Sequence, residues 1–273
     1  MEVFNINNLF PYQSPAVYVM TCVIITIGLP LTLVAIYAVY SLVKNDHVAP
    51  IYVINLLISD VIQLCCMTVD VVPLKDRRIY YIGFYMYYFA MIASVGFMVC
   101  IALERYLVIA CPLWYRFRRT IKISVVVCVV VWVLTLVYLL TFNYVKHTEI
   151  VSALFFLLPL PLFIFFLGGT IRALSASRVP SDEKRRIVAI LVLVLLIYML
   201  LFMPSVIWYA TYYQTLSTLS LTFLRLSPLA DLLLYVFMRK GTIDKFLASV
   251  CCCRMDSNDS SRVDSNDITS SVV

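Results

Sequence analysis

Seven stretches of roughly 20 apolar residues, the length that crosses a hydrocarbon core of about 30 Å, constrain this chain more than any other feature. They fall at 16–42, 50–74, 80–103, 123–143, 151–171, 187–211 and 217–238. In hydrocarbon every backbone N–H and C=O must be satisfied within the segment, so each run is expected to be a membrane-crossing helix. The seven use most of the 273 residues, and no internal repeat is visible. The connections are short, which leaves room for one bundle and no attached soluble domain. Charged residues make up 13% of the chain, against about 25% in an ordinary soluble domain.

The first run is too long for the core of a signal peptide and no basic segment precedes it, so it is expected to stay as an uncleaved span. Lys and Arg then set the orientation. With the N-terminus outside, the inner side receives Lys44, Arg105, Arg116, Arg118, Arg119, Lys122, Arg172, Arg178, Lys184, Arg185, Arg186 and the cations from Arg239 onward. The outer loops then hold Lys75, Arg77, Arg78 and Lys146. The expected organisation is an extracellular N-terminus (1–15), a seven-helix bundle (16–238), an amphipathic eighth helix (239–250) and a disordered cytoplasmic tail (251–273). The net charge of +6 reads as this bias, plus attraction to anionic inner-leaflet lipid, rather than as nucleic-acid binding.

The nine cysteines are all placed in spans or on the inner side, so no extracellular disulfide is expected. His47 and His147 lie on opposite sides of the membrane, which excludes a Cys/His zinc pattern. In the inner segment Gly241 breaks the helix, Thr242 can cap the next one, and Ile243, Phe246, Leu247 and Val250 recur at helical spacing. Cys251, Cys252 and Cys253 follow as juxtamembrane palmitoylation candidates. The tail beyond is rich in Ser and Asp and ends Ser271-Val272-Val273, a short segment that can add as a strand to a PDZ groove.

Ionisable side chains inside spans are costly and point to function. Here they are Asp60, Asp70, Glu104, Arg105, Arg225 and Asp231. Two oxygen-rich carboxylates brought together in low dielectric either hold a hard cation or share a proton; a hydrogen-bonded network that only specifies packing is the other reading. Arg225 stands six residues outward of Asp231, roughly 9 Å along a helix. Asp70 is ten residues outward of Asp60. Three readings of Arg225 stay open: an internal salt bridge to Asp70, an anion-binding role, or a snorkelling side chain. Around it Tyr87, Tyr88, Met91, Phe202 and Tyr209 are expected to wall a cavity suited to an amphipathic small molecule. Tyr80, Tyr81 and Tyr212 fit an interfacial aromatic belt better.

Several short motifs occur in order, one per span and on a consistent side: NLLISD in span two, ERY with CPLWY in and after span three, Trp132 in span four, FMP at 202–204 and DLLLY ending at Tyr235. Together they resemble those of a rhodopsin-like (class A) G protein-coupled receptor along nearly the whole chain. The resemblance implies an all-α membrane protein, a seven-transmembrane bundle with a short eighth helix. It implies no enzyme, but a receptor that binds a small, anionic or lipid-like extracellular ligand and activates a heterotrimeric G protein. By the same resemblance Arg105 is held by Glu104 at rest, and Tyr106, Leu113 and Tyr235 complete the G protein switch. Asp60, Ser94, Ser227 and Asp231 match a polar pocket for an allosteric sodium ion; no other cofactor is implied. A phosphorylated tail would recruit arrestin. Arg225 stands near the position of the opsin Schiff-base lysine, and no Lys lies in a span, which excludes a retinal photoreceptor.

The chain also departs from the pattern. Tyr80 stands where a disulfide cysteine is usual, Thr32 in place of Asn, Leu167 in place of Tyr, Phe202 in place of Trp and Leu232 in place of Pro. The CPLWYRFRR loop and the missing disulfide resemble the Mas-related receptors, while Asp231 resembles the nucleotide, lysolipid and proton-sensing branch. Two rival functions remain: a transporter, against which stand the lack of inverted halves and of a Gly-broken helix pair, and a non-signalling scaffold or partner of other receptors.

Overall fold

The computed structural model describes residues 15–44, 51–72, 76–113, 115, 121–142, 148–176, 181–211 and 214–238. Nine long helical elements occur among them: α1 (Pro15–Lys44), α2 (Ile51–Val71), α3 (Arg77–Ala110), α4 (Ile121–Phe142), α5 (Thr148–Leu157), α6 (Pro159–Ala176), α7 (Ser181–Thr211), α8 (Gln214–Arg225) and α9 (Ser227–Met238). Six helical segments are long and apolar enough to cross a membrane, and the bent pair α8–α9 makes seven. The chain is thus an all-α, seven-span bundle. The expected eighth helix and the tail lie outside the described residues.

Spans three and five differ from the expected boundaries, each for a local reason. Asp76 caps α3 by accepting from the Arg78 backbone N–H at 2.9 Å, the role a short acidic side chain fills best. The same helix continues inward past 103 to Ala110, so the ERY triplet is helical. Span five is interrupted at Leu158, where Pro159 begins α6; a missing N–H and a preset φ suit proline to a first helical position. Its apolar portion runs Ala153–Ser175 rather than 151–171.

Span seven is bent rather than straight. Helices α8 and α9 meet at Leu226 with a bend of 41°. Pro228 has no N–H for the Leu224 carbonyl and its ring crowds that turn. The ladder adjusts: the Leu226 N–H is shared between Thr222 O (3.3 Å) and Phe223 O (3.1 Å). The kink-forming proline missing at Leu232 is therefore supplied one turn outward, directly beside Arg225.

Burial shows which helix organises the bundle. In its membrane-crossing portion 61% of α3 is buried, against 11% of α4. Helix α3 packs on α2, α4 and α6, while α1 and α9 both pack on α2. Helix α4 leaves Val126, Val130 and Leu134 exposed on its outer side, as a lipid-facing helix should. Tight contacts against α3 use glycine: a Cβ on Gly169 of α6 would lie 2.6 Å from Tyr106 Cε2. The NLLISD motif has its own packing role, since Asn55 accepts from Trp132 Nε1 at 3.1 Å and joins spans two and four.

Candidate functional site: two buried charge layers

The outer layer is built on the last residue before the span-seven bend. Arg225 is only 5% exposed. Its Nη2 lies 3.2 Å from Asp70 Oδ2 on α2, and Nη1 donates to Thr21 Oγ1 on α1 at 2.5 Å. The Thr21 hydroxyl donates in turn to Val17 O at 2.7 Å, so its oxygen is oriented to accept. Three spans are tied through one guanidinium, whose planar fork suits partial burial better than an ammonium. Of the three readings left open for Arg225, the ion pair is the one formed; the snorkelling alternative is overturned because the side chain is buried.

Asp70, Phe84, Tyr87, Tyr88, Leu221, Leu224 and Arg225 enclose a cavity of about 20 Å³, room for one or two waters. Tyr88 lies edge-on to Tyr87 at 5.6 Å and tilted on Phe84 at 4.7 Å. The Tyr87 hydroxyl is buried with no hydrogen-bond partner among the described residues. The expected wall is thus brought together at Asp70, Tyr87, Tyr88 and Arg225 but not at Met91 or Phe202. Met91 is fully buried in the core. Phe202 stacks between Tyr198 at 4.9 Å and Phe156 at 5.5 Å, where Tyr198 also donates its hydroxyl to the Phe156 carbonyl. The side chain of Tyr209 lies outside the described residues.

The inner layer carries like charges. Asp60, Ser94, Ser227 and Asp231 are all fully buried. Ser94 Oγ donates to Asp231 Oδ2 at 2.7 Å. Helix α2, which carries Asp60, packs against α9, which carries Asp231, and neither Asp60 oxygen, nor Asp231 Oδ1, nor Ser227 Oγ has a hydrogen-bond partner among the described residues. Unpartnered buried oxygens of this kind are rare. Four orphaned oxygens from three residues fit an alkali cation, which takes oxygen ligands. Among the described residues no cluster of three or more His, Cys, Asp or Glu gathers. Fully buried Gln63, one turn outward of Asp60, also has both amide atoms unpartnered.

At the inner mouth, Glu104 accepts from the Tyr115 hydroxyl at 2.7 Å. Nε of Arg105 is buried with no hydrogen-bond partner among the described residues. Tyr106 stacks on Phe166 at 5.7 Å and leans on Phe165 at 5.8 Å. Leu113 is 73% exposed, and Tyr235 packs against the core near the end of α9. Arg186 on α7 donates to Met238 O at 2.8 Å, a cation at a helix C-terminus where carbonyls lack partners. Cys251, Cys252 and Cys253 lie outside the described residues.

Gln63, Thr21 and Tyr115 were not singled out by the sequence reading, and Arg186 counted there only as one of the inner cations. A search for ionisable groups passes over amides and hydroxyls; of these only Gln63 carried a usable signal, an amide inside an apolar run on the same helical face as Asp60.

A seven-helix membrane bundle with buried charge at two depths is the class of protein that these features define. Residues 31–153 match the family model described as 7 transmembrane receptor (rhodopsin family). The chain is 29% identical over 147 residues to G-protein coupled receptor 68 of Bos taurus, which covers 51% of this chain and 39% of that relative. It is 25% identical over 158 residues to G-protein coupled receptor 183-A of Danio rerio, covering 55% and 42%. To Proteinase-activated receptor 2 of Bos taurus it is 26% identical over 249 residues, covering 75% and 60%. The matched part of the chain spans less than half the length of the first two relatives. The fold and these matches make the chain similar to the rhodopsin-like (class A) receptors, with the family model covering residues 31–153.

Proposed function

We propose that the chain is a plasma-membrane receptor, N-terminus outside, that binds a small anionic or lipid-like extracellular ligand and activates a heterotrimeric G protein. The observation that carries this reading is Arg105: a donor is buried without a hydrogen-bond partner among the described residues while its acidic neighbour Glu104 is engaged by Tyr115. A guanidinium so placed is ready for the carbonyls of an entering helix C-terminus. Exposed Leu113 would fill an apolar pocket of the same partner, with Tyr106 and Tyr235 moving with the inner ends of spans three and seven.

A ligand carboxylate or phosphate would enter at the outer layer by exchanging with Asp70 on Arg225, with Tyr87 and Tyr88 against its apolar part. The present cavity is too small for such a molecule, so binding requires α2 and α8 to separate, and a ligand that favours the separated state shifts the population toward it. At the inner layer, Asp60, Ser94, Ser227 and Asp231 would hold an allosteric sodium ion, which supplies positive charge between two carboxylates. Palmitoyl groups on Cys251, Cys252 and Cys253, arrestin on the phosphorylated tail and a PDZ domain on Val273 complete the expected partners, with membrane lipid around the bundle.

The test is G protein dissociation in cells across a panel of α subunits, with surface levels matched between wild type and Arg105→Ala. Dissociation that the substitution abolishes supports the receptor reading and names the partner. Equal signals across a broad set of anionic lipids and carboxylates would favour the scaffold reading instead.

A further inference from the structure

We infer that Gln63 is a further ligand of the cation held between Asp60 and Asp231, setting its affinity from the outer side of the site. The inference rests on the sodium reading above and adds a residue to it. Gln63 is fully buried, and neither its carbonyl oxygen nor its amide nitrogen has a hydrogen-bond partner among the described residues. An amide with four hydrogen-bonding positions and none filled is an unusual thing to enclose.

Helix geometry says where this amide points. Residues three apart share a helix face, and the buried positions Leu56, Asp60, Gln63 and Met67 form that face of α2. Side chains on a helix lean toward its N-terminus, which on α2 is the Asp60 side of Gln63. The amide is therefore directed onto the carboxylate layer from one turn outward, at the depth where Ser227 stands one turn outward of Asp231.

Two occupants can fill these positions. A proton shared by Asp60 and Asp231 satisfies carboxylate oxygens and leaves the Gln63 amide and the Ser227 hydroxyl to a separate water. A cation, bare or carrying one water, satisfies all of them. Gln63 Oε1 and Ser227 Oγ face the positive charge with the carboxylates, and Gln63 Nε2 donates to a carboxylate oxygen or to the water. With one neutral amide, one or two hydroxyls and two carboxylates, the set suits a monovalent ion with oxygen ligands.

The experiment is thermal unfolding of the purified full chain in detergent, titrated with sodium chloride against N-methylglucamine chloride at constant ionic strength. A ligand that binds only the folded state raises Tm with concentration. Wild type should respond, and Asp231→Asn should not. Gln63→Leu should raise the half-effective sodium concentration on the order of tenfold, as loss of one supporting ligand typically does. Its sodium-free Tm should equal or exceed that of wild type, because an unsatisfied amide has been removed. Gln63→Glu keeps an oxygen and should keep the response. A Gln63→Leu titration coincident with wild type, while Asp231→Asn is silent, overturns the role of Gln63 alone. A wild type that ignores sodium overturns the cation reading and this inference with it. If Gln63→Leu does not fold, Gln63→Met is read by the same two criteria.

Discussion

The outer and inner charge layers lie on the same spans yet solve burial in opposite ways. Arg225 and Asp70 form a neutral pair with Thr21 filling another position of the guanidinium. Asp60 and Asp231 are two acids with a single hydrogen bond between Ser94 and one of their four oxygens. In the outer layer opposite charges meet, and the ligand proposed above would have to break that pair. In the inner layer like charges meet with most of their oxygens unpartnered among the described residues, and the proposed cation would complete it.

The largest effect should come from leaving one outer charge alone. Asp70→Ala buries Arg225 without its acid and should destabilise the purified protein by about 3–5 kcal/mol, read as a lowered Tm and poor surface expression. The pair Asp70→Leu with Arg225→Met should recover most of that loss. A double variant as unstable as Asp70→Ala would mean that Thr21 and the aromatic wall, not the ion pair, hold the layer.

The inner layer should show the opposite sign. Asp231→Asn removes one of two like charges and lets the amide donate to Asp60, so in sodium-free buffer it should stabilise by roughly 1–3 kcal/mol. A lower sodium-free Tm for Asp231→Asn would show that the two acids already have a compensating charge.

A neutral contact provides the baseline for both. Gly169→Ala forces a Cβ to within 2.6 Å of Tyr106 Cε2, an overpacking cost of about 1–3 kcal/mol that Tyr106→Leu should relieve. Because that contact joins α3 to α6 beside Arg105, G protein coupling measured at matched surface level should change with it. The smallest effect expected is Tyr198→Phe, which loses one hydrogen bond to Phe156 O, about 1 kcal/mol, and should leave the sodium response unaltered.

The inner layer was legible through the resemblance: Asp60 and Asp231 stood out as acids in apolar spans, while Ser94 and Ser227 were added because they match the family's polar pocket. The outer layer was half legible: Asp70 and Arg225 could be put at a common depth, but whether they meet depends on how α2 and α8 are rotated. Thr21 gave no signal, since one hydroxyl in an apolar helix looks the same whether it bonds only its own helix or also a neighbour. Phe202 was misplaced for the same reason. At its depth an aromatic ring fits a ligand wall or the core, and stacking with Tyr198 and Phe156 put it in the core.

By itself the sequence determined the class of solution: seven apolar runs leave helices as the way to satisfy the backbone in a bilayer, and the placement of Lys and Arg predicts their direction. Tertiary structure alone decided which charges pair. Helix periodicity gives each residue a depth and a face, but the partner across the bundle is set by interaxial packing and by the 41° bend at Leu226. On one side of that bend Arg225 meets Asp70 and Thr21, and on the other Asp231 accepts from Ser94.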